Sequence, residues 1–285
     1  MFIKSILRSF GQVMLQKNAL TGFIILGALF YHSYTIALAA LSASLAATLT
    51  ALLFRLNKQA TQDGLYAFNA VLIGAGLLAF LSFDSIQTWV LILAGAVLSV
   101  FLQNFFMSKK LPTYTLPFIL ITWLLLSIAS LLFPNLFFTS TPTLYSAINP
   151  FVFTLQSFSQ VFFISHTIVG ILFFLAILLN SPIAGIYAFI AALLSGIAAL
   201  EIPFIEVDSV QIGIYGYNAV LSSIAFAGNQ KSDILWVLIS IVFSLLFMLL
   251  FLFLPFPALT FPFVWASIST LLIQKYYQRK ALEYM

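Results

Sequence analysis

Apolar runs long enough to cross a bilayer follow one another down the chain, separated by short polar breaks. They predict crossings at about 18–33, 35–54, 64–81, 86–107 and 112–133, and a second set at about 167–180, 182–200, 213–228, 234–253 and 257–273. An apolar segment before each set, at about 2–16 and 150–165, is too short or too polar to cross, and predicts a half-helix that enters and leaves on one face. The runs are apolar throughout and do not alternate with polar residues, which speaks against a lipid-facing barrel. The pattern predicts an all-α polytopic membrane protein of about ten transmembrane helices plus two re-entrant half-helices.

Within this pattern the chain repeats itself. "GLYAFNAVLIG" at 64–74 returns as "GIYGYNAVLSS" at 213–223, which aligns Gly64/Gly213, Tyr66/Tyr215, Asn69/Asn218 and Leu72/Leu221 and sets Phe68 against Tyr217. "GQVML" at 11–15 parallels "SQVFF" at 159–163, with Gln12 opposite Gln160. "LPTYTLPF" at 111–118 parallels "PFPALTFPF" at 255–263, with Thr115 opposite Thr260. The offsets are 148, 149 and 145 residues. Five crossings per half is an odd number, so the halves lie in opposite orientations, as inverted repeats spanning 1–133 and 150–285 of a single membrane domain. Residues 134–149 are then the external linker. In such architectures the conduction path lies at the repeat interface, bounded by interrupted helices. A Pro frees a backbone carbonyl that lipid would not tolerate and a polar pore can use, which suits the third block to that role.

Composition and charge sharpen the picture. Of 285 residues 63% are hydrophobic and 6% charged, against roughly a quarter charged in a soluble domain. Counting crossings puts all 11 Lys and Arg residues on one side, and Asp84, Glu201, Glu206 and Asp208 on the other. By the positive-inside rule both termini are expected to be cytoplasmic, and the chain is expected in the cell's inner or plasma membrane. The net charge of +4 is thus a topology signal and requires no nucleic-acid partner. Gln12 and Lys17 interrupt any signal-peptide core, so no cleavable leader is expected. The absence of Cys excludes disulfides, thiolate catalysis and zinc–sulfur sites. No His/Asp/Glu cluster, metal-ligand spacing or nucleophile motif points to an enzyme, a metal or a cofactor. None of the seven acidic residues falls in the middle of a predicted span, which disfavours a proton- or sodium-coupled transporter.

At the three repeated blocks the chain resembles the urea transporter family of membrane channels, from about Gly11 to Leu272. The most specific element is the L-P-x-x-T-x-P-F signature, complete as Leu111, Pro112, Thr115, Pro117 and Phe118. The second copy keeps Pro257, Thr260, Pro262 and Phe263 but has Phe256 in place of Leu. "NALTG" at 18–22 also matches, whereas "SHTIVG" at 165–170 carries His166 opposite Asn18 and makes the two mouths chemically unequal. The resemblance implies a homotrimer with one pore per protomer. It implies pore roles for Gln12 and Gln160, and slots formed by Leu15, Phe68 and Leu72 in one half and by Phe163, Tyr217 and Leu221 in the other. Thr115 and Thr260 would sit near the pore midpoint.

These residue types suit urea, a flat, neutral solute with four N–H donors and one carbonyl acceptor. Removing its water without replacement costs several kcal/mol. Gln and Thr oxygens replace those bonds without adding charge, and aromatic faces hold the plane. Ions entering so apolar a slot would lose hydration and gain little. The expected function is passive conduction of urea down its gradient. The alternatives are a channel for other small neutral solutes (short amides, water, ammonia) and an ion-coupled transporter. An aquaporin would need paired Asn-Pro-Ala motifs, and only "INP" at 148–150 comes near. Asn69 and Asn218 read as ties to broken helix ends.

Overall fold

A computed structural model of the chain describes residues 2–138 and 148–283. Residues 139–147, most of the expected linker 134–149, lie outside the described residues. The first half runs α1 (Phe2–Val13), α2 (Ala19–His32), α3 (Tyr34–Leu53), α4 (Lys58–Gln62), α5 (Phe68–Leu78), α6 (Ile86–Ser108) and α7 (Leu116–Leu132). The second runs α8 (Pro150–Ser159), α9 (Thr167–Asn180), α10 (Pro182–Leu200), α11 (Val207–Gln211), α12 (Tyr217–Phe226), α13 (Lys231–Phe251) and α14 (Phe261–Glu283). Among the described residues α3, α6, α10 and α13 are long and apolar enough to cross a membrane singly.

The half-helices end in matched turns. After α1, Leu15 N–H bonds Gln12 O at 2.9 Å and Gln16 N–H bonds Gly11 O at 2.9 Å. After α8 and its 3-10 extension Gln160–Phe162, Phe163 N–H bonds Gln160 O at 2.9 Å and Ile164 N–H bonds Ser159 O at 3.3 Å. This is the Schellman arrangement, whose closing residue is left-handed and is usually glycine. Here Leu15 at φ 56° and Phe163 at φ 62° occupy it, at roughly 1–2 kcal/mol each. The turn after α8 bends the chain by 80° into α9. Asn18 caps α2 by accepting from Leu20 and Thr21 N–H, and His166 Nδ1 accepts from Val169 N–H at the start of α9. The substitution of His for Asn thus preserves the cap.

The repeated phrase forms a break in helical structure where apolar composition predicted continuous spans over 64–81 and 213–228. Each is a short helix, a turn and a half-length helix: α4 then α5, and α11 then α12. α5 and α12 have 11 and 10 residues, so at about 1.5 Å per residue each covers roughly half of a bilayer core. The cause is Gly64 and Gly213, left-handed at φ 79° and 84°. A Cβ on either would lie 2.5 Å from Ser9 N or 2.4 Å from Ser157 N, so the turn and the half-helix it touches must meet backbone to backbone. The expected starts at 112 and 257 likewise move inward, to Leu116 and Phe261, because Tyr114 and Leu259 are left-handed at φ 46° each.

Small residues let the helices close. Gly22 and Gly170 leave no room for a side chain, since a Cβ would sit 1.7 Å from Leu7 O and 1.9 Å from Leu155 O. Buried Ala39 and Ala40 on α3 lie against Gly74 of α5. Such close approach is what drives helix association where lipid is as apolar as the side chains. Two of the seams between the halves bear on the site. At the first, α2 meets α9: Thr21 Oγ1 donates to Ala176 O at 3.0 Å, Asn18 Nδ2 to Asn180 Oδ1 at 2.6 Å, and Asn180 Nδ2 to Gln16 Oε1 at 2.5 Å. At the opposite end of that pair the rings of His32 and His166 lie 5.2 Å apart. The second seam, α7 against α14, carries the candidate site.

Candidate functional site

The two signature helices start toward each other. Thr115 and Thr260, each just before its helix, share a hydrogen bond of 2.7 Å between their hydroxyls, and neither exposes surface to solvent. One such bond uses one donor and one acceptor, leaving one O–H and three lone pairs between the two groups. Asn69 Oδ1 accepts from Phe118 N–H at 3.2 Å, and Asn218 Oδ1 from Phe263 N–H at 3.1 Å. Both asparagines therefore tie the free amides of a helix start, the role expected of them. The rings cross the seam, with Phe118 5.9 Å from Phe163 and Tyr114 5.0 Å from Phe263.

Gln12 and Gln160 sit three residues before Leu15 and Phe163 because they occupy matching positions of the turn that ends each half-helix. Gln12 Nε2 donates to Asp63 O at 3.0 Å, and Gln160 Nε2 to Ser165 Oγ at 2.7 Å. With one amide N–H engaged, each side chain keeps its carbonyl oxygen as an acceptor. Leu15 and Phe163 are half-buried, whereas Phe68, Leu72, Tyr217 and Leu221 are buried. All six belong to one apolar cluster that spans both halves. Gln160, Phe163 and Tyr217 come together around a cavity of about 190 Å³, which Leu221 does not line. Leu15, Phe68 and Leu72 share that cluster, and Gln12 joins them only by lying in the same half.

Tyr217 is more than an aromatic wall. Its hydroxyl donates to Leu259 O, a carbonyl that also takes Asn218 Nδ2 at 3.4 Å. Trp123 Nε1 braces the same loop by donating to Pro257 O at 2.9 Å. Leu259, Tyr114 and Trp123 therefore shape the site without having been expected there. The Pro-x-x-Thr spacing announces an irregular approach to each threonine, but nothing in the pattern marks Trp123, Phe80 or Met248.

The basic end of the molecule has its own order. Lys17 Nζ lies 2.6 Å and Arg8 Nη1 3.6 Å from the carboxylate of Asp63. Burial alone would raise that carboxyl's pKa, but hydrogen bonds from Lys17 and Gln59 and the fields of Lys17 and Arg8 hold it below the usual carboxylate value. The turn that opens the repeated phrase is thus pinned to the half-helix before it.

Apolar helices long enough to cross a bilayer, half-length helices beside strained turns, and polar groups gathered where two helix starts meet are the features of a helical membrane protein. The profile of the urea transporter family matches residues 3–275. The chain belongs to the urea transporter family. It is 31% identical over 245 residues to urea transporter 1 of Rattus norvegicus, and 30% identical to that of Mus musculus, in each case over 80% of this chain. Urea transporter 1 of Ovis aries is 28% identical over the same share. The chain spans 63% of the length of these curated relatives.

Proposed function

We propose that the protein is a passive channel for urea, with the pathway running between the halves past the Thr115–Thr260 contact. That contact carries the reading. It joins equivalent positions of two sequence repeats, both fully buried, where the starts of α7 and α14 meet. Supporting it are the offsets between paired left-handed residues. Leu15/Phe163, Gly64/Gly213 and Tyr114/Leu259 keep the spacings of the repeated blocks, as a two-fold axis in the membrane plane requires. In this reading Gln12 and Gln160 accept urea's N–H groups at either mouth. The pairs Phe68/Leu72 and Tyr217/Leu221, with Leu15 and Phe163, confine its plane, and the threonine pair replaces water at the midpoint. Three such protomers assemble as a homotrimer, each with its own pore.

The test is urea flux into proteoliposomes. Flux is expected to follow the urea gradient and to ignore imposed proton or sodium gradients. Uphill accumulation driven by either ion would overturn the channel reading. Orientation has a separate test that benefits from a chain without Cys. Lys58→Cys and Lys110→Cys should react with an impermeant thiol reagent only from the cytoplasm, and Glu206→Cys only from outside. Labelling of Lys58→Cys and Glu206→Cys from the same face would rule out the five-plus-five arrangement.

A further inference from the structure

A cavity of about 480 Å³ lies apart from the threonine contact, walled by α1, α3 and the segment through α4. Its lining joins the apolar side chains of Phe2, Ala51, Leu52 and Leu56 to the buried hydroxyl residues Ser5, Thr48 and Thr61. Its mouth carries two exposed cations, Arg55 and Lys58. Arg55 is held in place by backbone geometry. It is left-handed at φ 50° and closes the turn ending α3, with Arg55 N–H on Leu52 O and Leu56 N–H on Ala51 O. Neighbouring Arg8 and Lys17 share the carboxylate of Asp63, whereas no ion pair among the described residues involves Arg55 or Lys58.

We propose that this cavity binds one anionic phospholipid of the leaflet on the basic side, its acyl chain along Phe2, Ala51 and Leu52 and its phosphate on Arg55 and Lys58. The volume lies within the range of small-molecule sites. A basic pocket between helices at the headgroup level has the charge and depth that a lipid phosphate needs. A soluble anion would leave the apolar wall unused. A second copy of the chain is a poor fit, because Asp63 is engaged by Lys17 and Arg8, and Asp233 caps the start of α13. Asp84, Glu201, Glu206 and Asp208 are assigned to the opposite face by the sequence. The inference rests on the membrane-embedded reading and is independent of the urea pathway.

Native mass spectrometry of the purified full chain, titrated with phosphatidylglycerol or phosphatidylethanolamine of identical acyl composition, tests it. Phosphatidylglycerol should bind at least tenfold more tightly. The double variant Arg55→Gln/Lys58→Gln should lose about 30-fold, at roughly one charge's contribution per residue. Lys109→Gln/Lys110→Gln, on the same basic face, should bind within about twofold of the parent. Leu52→Trp, which fills the cavity and keeps both charges, should also lose the lipid. Millimolar inorganic phosphate should not displace it. Equal affinity for the two lipids, or equal losses from the two lysine-bearing double variants, would show a diffuse surface charge and overturn the site. Displacement by phosphate would show a headgroup site without the acyl wall and overturn it equally. Urea flux measured on the same samples reports on the pathway separately.

Discussion

Replacing Thr115 or Thr260 by Val is expected to lower urea flux about tenfold or more. Val keeps the shape and removes the oxygen. Each single change leaves the partner hydroxyl buried without its 2.7 Å bond, at roughly 1–3 kcal/mol. If the contact is the most dehydrated point of the path, a penalty of that size on the barrier gives the expected loss. The pair allows a sharper experiment than either single variant. Removing both partners of a buried bond can be nearly neutral for stability, so Thr115→Val/Thr260→Val should recover thermal stability lost by the singles. Its flux should stay low, because the solute meets no acceptor there. A double variant that recovers both stability and flux would make the threonines a structural pair only. Thr122, seven residues on in α7, is the control, since its buried hydroxyl has no hydrogen-bond partner among the described residues. Thr122→Val should leave flux near the parent's and stability equal or higher.

The second large effect is on folding. Gly64→Ala and Gly213→Ala should each cost about 3 kcal/mol or more and abolish monodisperse protein on size-exclusion chromatography in detergent. Two costs combine: a left-handed backbone that disfavours a side chain, and a methyl group 2.4–2.5 Å from the backbone nitrogen of the facing half-helix. Backbone on both sides leaves nothing flexible to yield. Gly27→Ala supplies the contrast, since a Cβ there meets nothing within 4 Å and α2 is helical around it. That variant should gain up to about 1 kcal/mol. Survival of Gly64→Ala with a parent-like melting profile would mean that the turn and half-helix are not locked as described.

Much of this architecture was legible because the chain states it twice. Gly64/Gly213, Gln12/Gln160 and Thr115/Thr260 stood out by register alone, and each pair occupies an equivalent turn or contact. The breaks before α5 and α12 were hidden, because hydropathy reads composition and "GLYAFNAVLIG" is apolar across its turn. Backbone handedness leaves no mark on an apolar average, and at Leu15, Phe163, Tyr114 and Leu259 it is carried by residues that favour the opposite hand. The bracing around Tyr217 was equally hidden, since Trp123 and Leu259 reach it only through tertiary contacts.

Phe68 and Tyr217 hold matched places in the repeat and differ by one oxygen. In the second half that oxygen ties the ring to Leu259, so the rim behaves as a beam fixed at both ends. Phenylalanine has no such anchor, and the first rim is a cantilever held by packing alone. In the proposed channel, a solute forcing its way through would bend the Phe68 side first. This unevenness would bear on how fast the crossing goes there and could not set its net direction. Without a coupled energy source, inward and outward passages climb the same barriers in reverse order, and a lopsided gate still lets the two concentrations decide.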